Sequence, residues 1–302
     1  MTYLTLFSAP KPFTNPHIAM IQRNAIRSWL ELGEEIQIVL VGSEEGLPQI
    51  ALEFGITLLE NVKRNELGTP LVSAIFELAR NVSDAPLLAY VNGDILLLPD
   101  FLQAVKRVKG QLERFLIVSS RWDLQVSQLL DFSADWQARL WSDLNQHGRR
   151  HPPAGSDIFV FPRAEFSNLP DFAIGRAGWD NWMIYHALHS GIDVVDATQA
   201  MTVIHQNHDY SHLPDGKPHY DLPESQTNMR LGGGIGVMYT ILDSNKRLVN
   251  GKIKGRSYSL LHLSRRLELW LMPEKQPRQG WRWTIARRLR RWRRQKLQVK
   301  DD

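Results

Sequence analysis

Four short stretches carry side chains able to hold a cation or move a proton. Asn92-Gly93-Asp94 separates two apolar runs, Leu87–Val91 and Ile95–Leu98. Gly155-Ser156-Asp157 is a small-small-acid turn leading into Asp157–Phe161. Gly178-Trp179-Asp180-Asn181-Trp182 sets an acid and an amide between two indoles, and His205–His212 holds three imidazoles and a carboxylate. Each stretch also has a plainer reading. Asp94 and Asp157 serve equally as turn or capping residues, Asp180 as a helix N-cap with the tryptophans in the core, and the histidines as a solvated loop. As a set, the four fall where strands end or loops begin. Oxygen ligands at such places suit Mg²⁺ or Mn²⁺, and a mixed Asp/His set leans towards Mn²⁺.

The elements that must position these groups follow from hydrophobic spacing. Leu87–Val91 reads as a strand buried on both faces, as in a parallel sheet, which puts Asp94 at its carboxyl end, where open α/β sheets bind ligands. An aspartate between two apolar runs is costly to bury without a cationic partner. Strands are expected at Tyr3–Ser8, Ile36–Val41, Ile56–Leu59, Phe115–Ser119, Asp157–Phe161, Asp193–Asp196 and Met201–His205. Helices are expected over 17–32, 47–54, 70–80 (opened by Pro70), 100–112, 135–146 and 179–188. The alternation predicts a doubly wound α/β sheet. Residues 148–155 read as a loop, and 206–228 as a long polar loop of the kind that serves as a binding loop or lid.

Composition narrows the chemistry further. The 302 residues contain no cysteine, which removes disulfides, thiolate metal sites and cysteine nucleophiles and suits a reducing compartment. No apolar run is long enough to span a bilayer, and the N-terminus has no signal-peptide pattern, so a cytoplasmic location is expected. The first strand is followed by neither a dinucleotide glycine fingerprint nor a GxxxxGK[ST] phosphate loop. A dinuclear phosphoesterase would need Asp-x-His near the first strand, where Phe7-Ser8-Ala9 stands instead.

The segments TLFSAPKPF, QRNAIRSW, RNELGTPL, YVNGDILLLPDF, SSRWDL, GSDIFVFPR, IGRAGWDNWMIYHA and AMTVIHQNHDYSH resemble a bacterial and plant group of GT-A nucleotide-diphospho-sugar transferases, over roughly residues 1–215. The resemblance implies a three-layer α/β/α sandwich with a mostly parallel central sheet, spanning 1–262, followed by a basic helical tail over 263–302. It also implies a glycosyltransferase moving a sugar from a nucleotide-diphosphate sugar to a hydroxyl on a glycan or lipid-linked acceptor. By that resemblance Phe7, Ser8 and Ala9 receive the base and ribose, and Arg64, Asn92, Gly93, Asp94, Trp179 and Asn181 also contact the nucleotide-sugar. Asp94 holds Mn²⁺ or Mg²⁺ together with His205 or His208, and Asp157 and Asp180 face sugar and acceptor. Asn92 stands where the family's Asp-x-Asp motif has its first acid. Asp180 is the candidate base of an inverting reaction, with Trp179 and Trp182 as flat surfaces for a sugar ring. A silent nucleotide-sugar-binding protein and a sugar-phosphate nucleotidyltransferase are the competing readings.

The charge is unevenly placed. Residues 278–296 hold nine Arg/Lys and no acid, so the +4 of the whole chain leaves −5 for the remainder. Trp281, Ile285, Leu289 and Trp292 share one helical face among these cations. That is the pattern of a helix lying peripherally on an anionic membrane surface, with a solvated or subunit-packing tail as the competing reading, and no nucleic-acid-binding motif accompanies it.

Overall fold

In chain order the elements are β1 (Leu4–Ser8), α1 (Pro16–Leu30), β2 (Ile36–Val41), α2 (Leu47–Phe54), β3 (Thr57–Leu59), α3 (Val72–Asn81), β4 (Leu87–Val91), β5 (Ile95–Leu97), α4 (Asp100–Lys109), β6 (Phe115–Val118) and β7 (Trp122–Leu124). They continue with α5 (Trp136–His147), β8 (Arg149–Arg150), β9 (Ile158–Pro162), α6 (Trp179–His189), β10 (Asp193–Asp196), β11 (Val203–Gln206), α7 (Pro223–Gly232), β12 (Lys246–Val249), β13 (Lys252–Gly255), α8 (Leu260–Leu271) and α9 (Gly280–Gln298). The computed structural model describes residues 2–208, 222–273 and 279–298.

Two sheets organise these strands. The larger runs β13-β12-β10-β6-β9-β4-β1-β2-β3, with β9 antiparallel between β4 and β6, β13 antiparallel at the edge, and the remaining pairs parallel. Helices α1, α2 and α4 cover one face through Ala25, Ile26, Trp29, Ile50 and Phe101. Helices α3 and α6 cover the other through Ile75, Phe76, Trp182 and Met183. The expected three-layer α/β/α arrangement with a mostly parallel sheet is present. Helix α1 shows how locally such elements are specified: Pro16 opens it, and Asn15 Oδ1 accepts from the amides of His17 and Ile18 at 2.9 and 3.1 Å.

The smaller sheet, β5-β11-β7-β8, is stitched into the larger one. The chain leaves the large sheet at Val91 and enters the small one at Ile95, so Asn92-Gly93-Asp94 is the corner between them. It crosses again at Ser119–Arg121 between β6 and β7, at 151–157 between β8 and β9, and at 197–202 between β10 and β11. An extended backbone reverses side-chain direction at every residue, so a short corner aims polar groups into the angle between two sheets while apolar neighbours stay in the cores.

Several expectations change here. Phe7 is fully buried, edge-on to Phe76 and Tyr90 at 5.0 and 5.7 Å, so it is a core residue and offers no surface to a base. Trp179 and Trp182 are also core. Trp179 is 5% exposed and packs against Tyr90 and Phe159 at 5.1 and 5.4 Å, while Trp182 stacks on His186. Neither indole presents a flat face for a sugar, because α6 turns both towards the sheet. Helix α3 starts at Val72 rather than Pro70, since the Pro70 carbonyl accepts from the Ile174 amide at 3.0 Å. Arg149–Arg150 forms a short strand rather than a loop, and the far end of the expected 206–228 loop is α7, while residues 209–221 lie outside the described residues. The expected boundary at 262/263 falls inside α8.

Candidate metal and substrate site

Three corners between the sheets and the end of β11 converge on Asp94. Its Oδ2 is 3.0 Å from His208 Nε2, 3.9 Å from His205 Nε2 and 3.8 Å from Lys11 Nζ. Ligand atoms of Asp94, His205 and His208 all lie within 4.8 Å of one another. Gln206 fixes the main chain of this corner: its backbone amide and its side-chain Nε2 both donate to the Asp94 carbonyl, at 3.3 and 3.1 Å. Asn24 Nδ2 holds the Gln206 side-chain oxygen at 3.0 Å. Gly93 has a steric role. A Cβ there would stand 3.1 Å from Gln22 Oε1 and 3.3 Å from Pro10 Cα. That Gln22 side chain accepts from the Lys11 amide at 2.6 Å and donates to its carbonyl at 2.9 Å, so the glycine lets the loop carrying Lys11 close over Asp94.

Burial alone would push the Asp94 carboxyl up, but the hydrogen bond from His208 and the charges of His205 and Lys11 outweigh it and hold the group well below the usual carboxylate range. Lys11 is pulled the other way, its ammonium lowered by burial against the partial compensation of Asp94. Asp94 is therefore an anion at any physiological pH. Its Oδ1 is buried with no hydrogen-bond partner. A buried carboxylate oxygen without a donor costs free energy, and it is the feature that a cation would satisfy. His205 turns Nε2 towards Asp94, while its Nδ1 lies 3.4 Å from Asp123 Oδ1, close but not aligned as a hydrogen bond. A carboxylate behind an imidazole is the usual way of orienting a metal-binding histidine. The donor set of one carboxylate and two imidazoles fits a divalent first-row metal.

A second layer of charge surrounds this cluster. Arg121 reaches Asp123 Oδ1 at 2.8 Å and Asp157 Oδ2 at 2.9 Å, and His151 Nδ1 lies 2.8 Å from Asp123 Oδ2. Burial would raise the Asp123 carboxyl, but His151, His205 and Arg121 hold it below its ordinary value. Asn92 is fully committed: Nδ2 donates to Asp157 Oδ1 at 2.7 Å, and Oδ1 accepts from the Tyr90 hydroxyl at 2.9 Å. Asn92 is thus a bracket that orients Asp157, and its side-chain atoms face that acid and Tyr90.

Asp180 differs from these acids. It lies in the first turn of α6, and its Oδ2 packs so close to Gly155 that a Cβ there would come within 2.1 Å. Burial, with the nearby charge of Asp157, pushes its carboxyl up to about 6 in spite of backbone hydrogen bonds that favour the anion. The Tyr90 hydroxyl is pushed up by burial and then by the charges of Asp94, Asp157 and Asp180.

The sequence-derived candidates separate accordingly. Asn92, Gly93, Asp94, Asp157, His205 and His208 meet in one place, with Asp180 beside them. Ser8 is buried at the end of β1 with its hydroxyl unpartnered, next to the partly buried Ala9. Arg64 is engaged elsewhere, donating to Glu44 at 2.9 Å, Ser43 at 3.1 Å and the Gly68 carbonyl at 2.8 Å. Asn181 donates to the Tyr239 carbonyl at 2.6 Å. Lys11, Arg121, Asp123 and His151 are site residues that sequence reasoning misses. The Arg-Trp-Asp run that follows β6 after Ser119 and Ser120 is the available signal, since it places a cation and an acid near another carboxyl end.

No protein-family model matches the chain, and no curated protein matches it. Among solved structures, the chain is similar to glucosyl-3-phosphoglycerate synthase from Mycobacterium tuberculosis in complex with Mn²⁺, UDP-glucose and phosphoglyceric acid. That match has 15% identity over 78% of this chain and 80% of that chain, with a TM-score of 0.47. It is also similar to the mannosyltransferase PcManGT from Pyrobaculum calidifontis in complex with GDP-mannose and Mn²⁺, at 13% identity over 69% of this chain and 58% of that chain, with a TM-score of 0.43.

The Asn92 bracket has a direct test. Asn92→Asp would bring a second carboxylate to within hydrogen-bond distance of Asp157. At about pH 8 the variant is expected to unfold in urea with ~1–3 kcal/mol less stability than wild type. Mutual repulsion raises one carboxyl's folded pKa above its unfolded value, so the deficit should shrink as the pH is lowered and that group takes up a proton. An Asn92→Asp variant as stable as wild type at the higher pH would contradict the bracket.

Proposed function

We propose that the protein is a glycosyltransferase that moves a sugar from a nucleotide-diphosphate sugar to a hydroxyl acceptor, assisted by a divalent metal and proceeding with inversion. The observation that carries this reading is the Asp94–His205–His208 cluster with its unsatisfied buried carboxylate oxygen, set at the carboxyl end of a central strand beside a separate, weakly acidic carboxyl. The resemblance of the sequence to GT-A transferases supports it.

Leaving of a nucleoside diphosphate from a sugar places negative charge on the departing phosphates. Mn²⁺ or Mg²⁺ held by Asp94, His205 and His208 would supply Lewis-acid stabilisation of that charge. Lys11, clamped over Asp94 by Gln22, adds a fixed cation on the same side. Arg121 and Asn92 hold Asp157 by both oxygens, so this acid is fixed in place and suited to orienting sugar hydroxyls. Asp180 is the candidate base. A carboxyl near 6 is ionised at neutral pH yet more basic than an ordinary aspartate, which suits removal of a proton from an attacking hydroxyl.

Calorimetry with a panel of nucleotide-sugars, with and without Mn²⁺, tests the donor side of the reading. Wild type should bind at least one donor in a metal-dependent way and Asp94→Ala should not. Metal-independent binding of every donor, or none, would contradict it, and binding without turnover would favour the silent binding protein.

The base has its own signature. The rate at low donor concentration should rise with pH through about 6 and then level, as Asp180 ionises. Asp180→Asn should lower kcat by at least ~100-fold. Because the raised carboxyl favours its protonated form on folding, the stability it contributes is present below the unfolded value and lost as the pH rises through the folded one. At about pH 8 the Asn variant should therefore be more stable than wild type by ~1–3 kcal/mol. A variant with full activity, or an unchanged pH profile, would remove Asp180 from this role.

A further inference from the structure

The sequence predicts one basic amphipathic helix near the C-terminal end, and the structure shows a two-helix face. Helices α8 and α9 run antiparallel, locked by buried charge. Glu268 accepts from Arg290 Nε at 2.9 Å and also from Arg293, while Arg293 Nη1 reaches Ser264 Oγ at 3.4 Å. Arg265 ties α8 to the body, gripping Asp243 at 3.0 Å and the Met238 carbonyl at 2.9 Å. Glu268 is 1% and Arg265 7% exposed. Two of the expected surface cations, Arg290 and Arg293, are therefore consumed in fixing which way the hairpin faces.

What it turns outward is apolar. On α8, Leu260, Leu263, Leu267 and Trp270 are 72%, 43%, 43% and 69% exposed, and their spacing places them in one stripe. On α9, Trp281 is 63% and Ile285 38% exposed, and they continue into Leu289 and Trp292. Leu289 and Trp292 line a groove of about 420 Å³ together with Leu260, Leu263 and Leu267, so the stripes of both helices face the same way. Contiguous exposed apolar surface of this kind marks an interaction site. Arg282, Arg287, Arg288, Arg291, Arg294 and Lys296 remain exposed on α9. Arg288 is three residues from Ile285 and four from Trp292, which sets it along the border of the stripe.

We infer that this hairpin face lies in the interface of an anionic lipid bilayer, with the two apolar stripes inserted among acyl chains and the bordering arginines at the headgroups. Charge decides between occupants. Two copies meeting through this face would bring two uncompensated sets of cations together, whereas anionic headgroups neutralise them. Nucleic acid would meet the cations but leave the leucine and tryptophan stripe exposed to water. The surface is independent of the catalytic reading, because none of these side chains belongs to the Asp94 cluster.

Co-sedimentation of the full chain with phosphatidylcholine vesicles, with and without phosphatidylglycerol, tests the inference. The protein should pellet with the anionic vesicles and stay in solution with the neutral ones. Reversing two exposed cations of α9 in Arg288→Glu/Arg291→Glu should weaken anionic-vesicle binding on the order of tenfold or more. Leu267→Glu/Trp270→Glu, at exposed positions that leave the buried clamp intact, should abolish it while the circular dichroism spectrum stays unchanged. Any of three results would overturn the proposal: pelleting that ignores lipid charge, no pelleting at all, or wild-type binding by the Leu267→Glu/Trp270→Glu variant. So would a wild-type dimer in light scattering that this variant dissolves, since the face would then belong to a second copy.

Discussion

Everything around the site follows from one largely buried carboxylate, one of whose oxygens is out of reach of water. Asp94 sits at the end of a fully buried strand, and an ion there costs several kcal/mol unless opposite charge is close. The chain answers from two sides, with Lys11 from the loop after β1 and His205 and His208 from the end of β11. Gln206 and Gly93 then remove the freedom that would let this corner relax. One carboxylate oxygen still has no hydrogen-bond partner, and that remaining deficit is one a cation would satisfy.

The second constraint is topological. A single sheet would deliver its functional groups only at the ends of strands along one edge. Here the chain repeatedly passes from the large sheet into a small one, and each passage is a short corner whose polar side chains point into the angle between them. Asn92 and Asp94, Arg121, and Asp157 come from three such corners, and Asp123 and His205 lie just inside the small sheet. This arrangement gives acids far apart in sequence different surroundings: Asp157 is held by Arg121 and Asn92, while Asp180 packs against a glycine and its carboxyl is pushed up by burial. A carboxyl pushed up towards neutrality is what general-base chemistry near pH 7 calls for.

Much of this is legible in the chain. Alternating apolar periodicity locates most strands and helices of the large sheet, and the acids and histidines at strand ends are visible as such. The small sheet is not: β11 is expected from Met201–His205, but β5, β7 and β8 are only two or three residues long and carry too little pattern to stand out. Without it, Arg121 and Asp123 have no visible reason to meet Asp157 and His205. Aromatic residues mislead in the opposite sense. Phe7 and Trp179 sit next to polar functional residues in sequence, but one-residue alternation in β1 and the helical phase of α6 turn them into the core. Asn92 reads as a weakened ligand because a motif comparison sees only residue type, and its two hydrogen bonds, to Asp157 and Tyr90, depend on a strand pairing that no local pattern encodes.

The central claim is that Asp94, His205 and His208 together hold a divalent metal, and pulsed electron paramagnetic resonance of the protein titrated with Mn²⁺ addresses it at the level of ligand atoms. The expected spectrum contains nitrogen couplings from two imidazoles, reduced to one imidazole in either His205→Ala or His208→Ala, with no bound-metal signal in Asp94→Ala. A bound Mn²⁺ without nitrogen coupling, or a signal indifferent to Asp94, would contradict the account.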